Sequence, residues 1–145
     1  MRDKIISVKM NNFIHGIHEN TLVIYKKGNN YYSVDRDVYL YKGLFGYRYG
    51  NKNNRMIIFI TEDYLNYIIS NLKRNMINFV IISINRGYDN IYSYNSIDNN
   101  YYRYYMLGKR MIRNEKRIKK LIDILRFKND IELVKRVNNL VNGCY

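Results

Sequence analysis

Proline and tryptophan are absent from the chain, and cysteine occurs only once, at position 144. A single cysteine excludes a disulfide framework within the chain, as is typical of proteins from a reducing compartment. No apolar run is longer than the five residues 56–60, and the run at 79–82 is shorter still; both are far below the roughly 20 residues of a membrane-spanning helix. The N-terminus has no apolar segment of signal-peptide length. We therefore expect a cytoplasmic protein with no membrane partner.

Acidic residues are also scarce. Asp and Glu together number 12 against 25 Lys and Arg, which gives a formal net charge of +13. This excess predicts a polyanionic partner, nucleic acid first and an anionic membrane surface second. An AT-rich coding sequence accounts for part of the excess of lysine and tyrosine. The 12 arginines nearly equal the 13 lysines, however, and this favours retention of guanidinium groups that bind phosphate through two hydrogen bonds.

Signatures of catalysis are missing from the sequence. It contains no glycine-rich phosphate loop, no nucleophile elbow and no group of ligands at metal-binding spacing. His15 and His18 lie three positions apart, but without further ligands they are better interpreted as structural histidines. Asp35 and Asp37 lie close together, and helix capping explains at least one of them. We expect no catalytic residue, no metal and no cofactor; a small metal-dependent nuclease is the least favoured alternative.

The alternation of strands and helices predicts the fold class. At 145 residues the chain is long enough for one domain with its own core. The predicted strands cover residues 22–25, 31–34, 56–60 and 78–84, and the predicted helices cover 3–18, 38–44 and 62–73. The run at 56–60 is continuously apolar, which predicts a strand buried on both faces, and Thr61 is predicted to cap the helix after it. We expect an α/β fold with a mixed sheet of about five strands flanked by helices.

The best-defined stretch covers residues 22–46. A strand ends at the basic turn KKGNN, in which Gly28 supplies the positive φ that a tight hairpin needs. An aromatic strand then returns. Asp35 or Asp37 is predicted to cap the next helix, and Gly46 is predicted to end it in the left-handed conformation.

This order of elements resembles the N-terminal mismatch-recognition domain of the MutS DNA-repair proteins. Their Gly-Asp-Phe-Tyr-Glu motif aligns without gaps so that Gly28 matches the glycine, Asn30 the phenylalanine and Tyr32 the glutamate. The similarity covers roughly residues 11–85. In MutS the phenylalanine wedges against a mispaired base and the glutamate bonds to it, which asparagine and tyrosine cannot do. The resemblance therefore implies the MutS domain I-like fold and a turn that can meet phosphate, without mismatch recognition.

Small stand-alone proteins similar to this MutS domain occur beside the reverse transcriptases of diversity-generating retroelements. The chain resembles these accessory proteins, with a core like the MutS domain over residues 1–87, no ATPase portion and a basic tail. The resemblance implies a non-catalytic protein that binds the reverse transcriptase, its template RNA or another accessory protein. A protein-interaction adaptor that binds an acidic partner surface is the alternative of a different class.

A basic helical tail follows a polar connector at residues 88–99 and covers residues 100–145. Asp98 or Asn99 is predicted to cap its long first helix, and Asp130 a short final helix. Residues 99–128 contain ten basic and two acidic side chains, a net charge of +8. Cations recur at helical spacing on one face, and apolar residues on the other.

The tail helix is the strongest functional signal in the composition. Its cations can neutralise successive phosphates, and the tyrosines at its start can stack on unpaired bases. Those tyrosines are Tyr101, Tyr102, Tyr104 and Tyr105. The alternative is an ordinary solvated face on a helix whose tyrosines lie in the core.

A second basic segment covers residues 47–55. It is interpreted either as a hairpin tip with Arg48, Lys52 and Arg55 facing a phosphate backbone or as an ordinary solvated loop. The complete set of predicted nucleic-acid-binding residues is Lys26, Lys27, Gly28, Asn30, Tyr31, Arg48, Lys109, Arg110, Arg113, Lys116, Arg117 and Lys120. The sequence does not distinguish an RNA partner from a DNA partner, and it does not give the oligomeric state. It also leaves open whether the tail packs on the core or on a partner.

Overall fold

A computed structural model describes residues 4–127 and 131–144. The helices are α1 (Val8–Ile17), α2 (Arg36–Phe45), α3 (Glu62–Arg74), α4 (Tyr101–Phe127) and α5 (Ile131–Cys144). The strands are β1 (Leu22–Lys27), β2 (Asn30–Val34), β3 (Gly50–Lys52), β4 (Arg55–Ile60), β5 (Phe79–Ser83) and β6 (Asp89–Tyr94). They form one six-stranded sheet in the order β3-β4-β2-β1-β5-β6. The predicted α/β class with a mixed sheet is confirmed.

The sheet is mixed because one of its strand pairs is parallel. β1 runs parallel to β5, and the other neighbours are antiparallel. Side chains alternate between its two faces. One face packs against α2, α3 and the start of α4, and the other packs against α1 and the segment before it. None of the helices in the described ranges combines the length and the apolarity needed to cross a bilayer.

Most predicted elements are present, with shifted ends. The first helix begins at Val8 and not at residue 3, because the Ser7 side chain accepts a hydrogen bond from the Met10 amide and so caps the helix there. Gly46 ends α2 with a φ of 72°, as predicted. Asn99 accepts a hydrogen bond from the amide of Tyr101 at the start of α4, which confirms one of the two predicted caps. The predicted cap at Asp130 lies outside the described residues.

Two other predicted caps differ from the structure. Asp35 and Thr61 occupy the N-cap positions of α2 and α3, but neither side chain makes a capping hydrogen bond. Asp37 lies inside the first turn of α2 and is buried. The carboxylate of Asp35 binds Arg55 instead, because an ion pair with two hydrogen bonds satisfies more of its acceptor capacity than one amide does.

The prediction of a connector at residues 88–99 was wrong in part, because this segment contains the strand β6. This strand pairs with β5 at the edge of the sheet, with a register shift between Ile81 and Ile82. Tyr92 and Tyr94 each stack against Phe79, with ring centroids 5.7 Å apart. Edge strands lack the continuous apolar run of a buried strand because much of their surface meets solvent, and the polar sequence of β6 therefore indicated a loop.

The segment at residues 47–55 contains β3, the turn of the β3–β4 hairpin and the first residue of β4. Asn53 and Asn54 lie at its tip with φ values of 54° and 61°, a conformation that asparagine tolerates better than most residues. The predicted hairpin is thus confirmed, while its contact with a phosphate backbone stays a prediction. The proposed orientation of Arg55 was wrong, because its guanidinium turns towards Asp35 and donates also to the carbonyl oxygen of Ile6.

A close crossing of two helices fixes α4 on the domain. A Cβ on Gly43 of α2 would lie 2.0 Å from the carbonyl oxygen of Tyr104, and a Cβ on Gly108 of α4 would lie 1.7 Å from that of Tyr39. Only glycine allows the two backbones to approach this closely. The first part of the tail therefore packs on the domain's own core, whereas its second part packs against α5.

Candidate nucleic-acid interface

The six cations predicted on the tail helix share one side of α4. At 100° per residue they fall within an arc of about 120° around the helix axis. Lys109 is half-exposed and the other five are exposed: Arg110, Arg113, Lys116, Arg117 and Lys120. None of the six forms an ion pair with a residue in the described ranges. We call this surface the α4 basic face.

The α4 basic face points outward because the opposite side of the helix is buried. Tyr101, Gly108 and Ile112 lie on that side, against α2. Glu115 falls there as well, and its carboxylate lies 2.7 Å from the ammonium group of Lys42. One of the two acidic residues of α4 is thus directed away from the basic face and neutralised.

The tyrosines at the start of α4 mostly serve packing. Tyr101 is fully buried, and Tyr104 and Tyr105 are half-buried. Tyr105 lies beneath two cations, Arg36 and Lys109, at 5.1 and 5.6 Å from its ring centroid. Tyr102 is 59% exposed and falls within the arc of the basic face. Base stacking is therefore open to Tyr102, while Tyr101 fits the alternative of a core position.

The glycine turn does not present its two lysines together. Lys26 and Lys27 are consecutive strand residues, so their side chains leave opposite faces of the sheet. The ammonium group of Lys26 lies 5.9 Å from the ring centroid of Tyr31, which is itself buried. That of Lys27 donates a hydrogen bond of 2.9 Å to the carbonyl oxygen of Lys4. Gly28 has a φ of 62°, as the predicted turn requires.

Four of the predicted turn residues nevertheless line one cavity of about 300 Å³, which we call the turn cavity. They are Lys27, Gly28, Asn30 and Tyr31. Lys4, Lys52 and Phe59 complete much of its wall. Arg48 is exposed and lines a neighbouring cavity of about 460 Å³ with Phe59 and Tyr64, which we call the hairpin cavity.

Two of these lining residues were missed by sequence reasoning. Phe59 was assigned to a strand buried on both faces, yet it is 64% exposed. Lys4 lies in the segment before α1, where only its charge gave a signal. Their position beside the turn depends on the path of the N-terminal segment across the sheet, which a local pattern does not reveal.

The carboxylate of Asp37 joins three elements. It accepts hydrogen bonds from the amide of Val23 in β1, at 3.1 Å, and from the hydroxyl of Tyr101 in α4, at 2.7 Å. Nε2 of His15 in α1 lies 2.9 Å from the same carboxylate, although the ring N–H is not aligned for a hydrogen bond. Burial, together with the charge of Asp37, raises the pKa of the Tyr101 hydroxyl, which therefore stays protonated as a donor.

Asp35 and Arg55 form a second polar cluster. Two guanidinium nitrogens donate to the Asp35 carboxylate at 3.0 and 2.7 Å, and the amide of Asn11 donates to it at 3.2 Å. These hydrogen bonds raise the pKa of Arg55. Asp35 has a φ of 59°, an uncommon conformation that the ion pair helps to hold. Asp35 and Asp37 are thus both engaged in joining elements, and the described residues contain no group of three metal ligands.

No protein-family model matches the sequence, and a search of curated proteins finds no significant match.

Proposed function

We propose that this protein is a non-catalytic, nucleic-acid-binding accessory protein of the cytoplasm, with the α4 basic face on the sugar–phosphate backbone. The proposal is carried by six cations on one side of a docked helix, none of which has an acidic partner among residues 4–127 and 131–144. The sequence resemblance to stand-alone MutS-like proteins supports a setting beside a reverse transcriptase and its template RNA. RNA and DNA both carry the phosphate groups that the α4 basic face would contact.

The spacing of the cations favours a polyanion over a single small anion. Lys109 and Lys120 are eleven residues apart, about 16 Å along the helix axis. A backbone that follows this face would exchange its condensed counterions for protein cations, which drives binding by counterion release. Because the cations have no acidic partners within the described chain, binding need not first break ion pairs of the protein.

The non-catalytic part of the proposal is supported by the contacts of Asp35 and Asp37. Asp35 is bonded to Arg55 and Asp37 to Tyr101, and each group stabilises the packing of several elements. A metal-dependent nuclease would need such carboxylates free to converge on an ion. Incubation of a labelled single strand with Mg²⁺ or Mn²⁺ is expected to give no cleavage. Cleavage that is lost in an Asp35→Asn/Asp37→Asn double variant with the far-UV circular dichroism of the unchanged protein would establish a nuclease.

A pair of triple variants with equal charge change tests binding by the basic face. Arg113→Gln/Lys116→Gln/Arg117→Gln removes three charges from the face. Lys9→Gln/Arg74→Gln/Arg86→Gln removes three exposed charges from other parts of the surface. Affinity for labelled 20-nucleotide RNA and DNA is measured by fluorescence anisotropy in about 0.1 M salt, where three lost phosphate contacts weaken binding on the order of 100-fold.

The control triple variant is expected to weaken binding far less, because it changes only the long-range field of the protein. Equal weakening by both variants would mean that the basic face has no special role. Failure of the unchanged protein to bind either oligonucleotide would overturn the proposed function.

A protein-interaction adaptor is a second candidate because apolar side chains are exposed on the α4–α5 pair. Leu121, Ile124 and Leu140 are 45%, 46% and 70% exposed. An interface built on them would tolerate high salt, whereas phosphate contacts are weakened by it. Capture of a defined acidic protein partner in about 0.5 M salt, without nucleic acid, would favour the adaptor.

A further inference from the structure

Phe59 stands out among the aromatic residues of the sheet because it is 64% exposed and no helix or strand within residues 4–127 and 131–144 covers it. It lies in the middle of β4, directly opposite Tyr32 of β2. Tyr32 is 3% exposed, and its hydroxyl accepts a hydrogen bond from the amide of Ile6. The N-terminal segment therefore covers one ring of this pair and leaves the other 64% exposed.

The surroundings of Phe59 are concave and cationic. Phe59 lines both the turn cavity and the hairpin cavity. Lys4 and Lys27 line the turn cavity, and Arg48 lines the hairpin cavity. A single exposed phenylalanine is ordinary on a protein surface. An exposed phenylalanine that lines two cavities, each with cations among its lining residues, is a more specific arrangement.

We propose that Phe59 is a stacking platform for an unpaired base of single-stranded nucleic acid. The flanking phosphates would meet Lys4 and Lys27 on one side of the ring and Arg48 on the other. This inference rests on the proposed function and names its substrate class. It adds a site on the sheet to the α4 basic face, from which it is distinct in sequence and in structure.

The chemistry of the site favours a single strand over a duplex. Single-strand binding sites combine a cationic groove with aromatic rings, because each unpaired base offers a π-face for stacking. In a duplex those faces are occupied by neighbouring bases, and a ring on the protein cannot reach them without unstacking the helix. The exposed amide group of Asn30, which also lines the turn cavity, can donate to a base edge and accept from it.

The absence of tryptophan from the chain allows a direct test. Phe59→Trp places the sole tryptophan at the proposed site. Phe13→Trp is the matched control, because Phe13 in α1 is also 64% exposed but lines neither cavity. Each variant is titrated with fluorescein-labelled oligo(dT) and oligo(rU) of 12 nucleotides and with a 12-base-pair duplex. Tryptophan emission and fluorescein anisotropy are recorded in parallel, and each emission is corrected with an unlabelled titration.

We expect the single strands to quench or shift the emission of the Phe59→Trp variant as the anisotropy rises. The emission of the Phe13→Trp variant should stay constant through the same titration. Phe59→Leu should weaken binding of the single strands by about 5- to 150-fold, the range of one lost base stack, and leave duplex affinity unchanged. Leucine keeps an apolar side chain at an exposed position, so the far-UV circular dichroism should match that of the unchanged protein.

Failure of the stacking site can be distinguished from failure of the proposed function. Rising anisotropy with constant Phe59→Trp emission, or a Phe59→Leu variant that binds single strands normally, would overturn the stacking site and leave the proposed function intact. Equal quenching in both tryptophan variants would also overturn it, because the signal would then report general proximity. No rise in anisotropy with any oligonucleotide would overturn the proposed function and this inference together.

Discussion

Replacement of Gly108 by alanine tests whether the close contact between α2 and α4 holds the tail on the domain. Helix propensity alone favours alanine over glycine by about 1 kcal/mol. The structure predicts instead that alanine destabilises the protein, because the new Cβ would lie 1.7 Å from the carbonyl oxygen of Tyr39. Real Cβ atoms essentially never approach another atom within 3.0 Å, so this contact is at least 1.3 Å too short.

The obstacle is a backbone atom, and relief therefore requires α4 to move away from α2. That movement loosens the packing of Tyr101 and Ile112, which are 0% and 3% exposed. Overpacking costs about 1–3 kcal/mol, and partial exposure of two large apolar side chains adds a further 1–3 kcal/mol or so. After the gain of about 1 kcal/mol in helix propensity, we expect Gly108→Ala to lower the free energy of unfolding by about 1–5 kcal/mol.

The assay is equilibrium unfolding in urea, followed by far-UV circular dichroism. Gly16→Ala is the matched control, because Gly16 lies in α1 with nothing within 4 Å of its Cβ position. That variant should be as stable as the unchanged protein or up to about 1 kcal/mol more stable. If Gly108→Ala were equally stabilising, the two helices would not cross in contact, and the described position of α4 would be wrong.

Three further predictions concern the polar clusters and the buried tyrosines. Asp37→Asn should lower the free energy of unfolding by about 1–3 kcal/mol, measured in urea, because an amide cannot accept from all its donors; unchanged stability would contradict the hydrogen bonds to Asp37. Arg55→Lys should cost about 1–2 kcal/mol in the same assay, since one ammonium cannot replace the forked pair to Asp35; a neutral result would contradict that pairing. Burial raises the pKa of Tyr25 and of Tyr101 above 10 in the folded chain. The stability that these two protonated hydroxyls contribute is therefore complete below about pH 10 and is lost as the pH rises further. The free energy of unfolding, measured in urea, should fall from pH 9 to pH 11, and a rise would contradict the burial of these hydroxyls.

Features that depend on neighbouring residues were predictable from the sequence. The hairpin turn needs only Gly28 and its polar neighbours, and the end of α2 needs only Gly46, which adopts the expected left-handed conformation. The α4 basic face follows from the spacing of cations along one helix. The α/β class was also predictable, because each strand and each helix shows its own periodicity of apolar residues and the order of these elements defines the class.

Features that depend on distant contacts were not predictable. The aromatic residues of β6 are supported by Phe79 on a neighbouring strand, so their own segment reads as a polar connector. The contact of Gly43 with α4 joins glycines 65 positions apart, counted from Gly43 to Gly108. The exposure of Phe59 depends on where the N-terminal segment ends its cover of the sheet. Each of these facts concerns which elements meet, and apolar spacing within one element carries no such information.

The salt dependence of single-strand affinity tests the central claim most directly. If all six cations of the α4 basic face contact phosphates, log K should fall with log salt concentration with a slope of about −4, at roughly 0.7 per contact. In the Arg113→Gln/Lys116→Gln/Arg117→Gln variant the slope should be about 2 smaller in magnitude. A slope near zero, or an equal slope in the two proteins, would contradict binding of nucleic acid by this face.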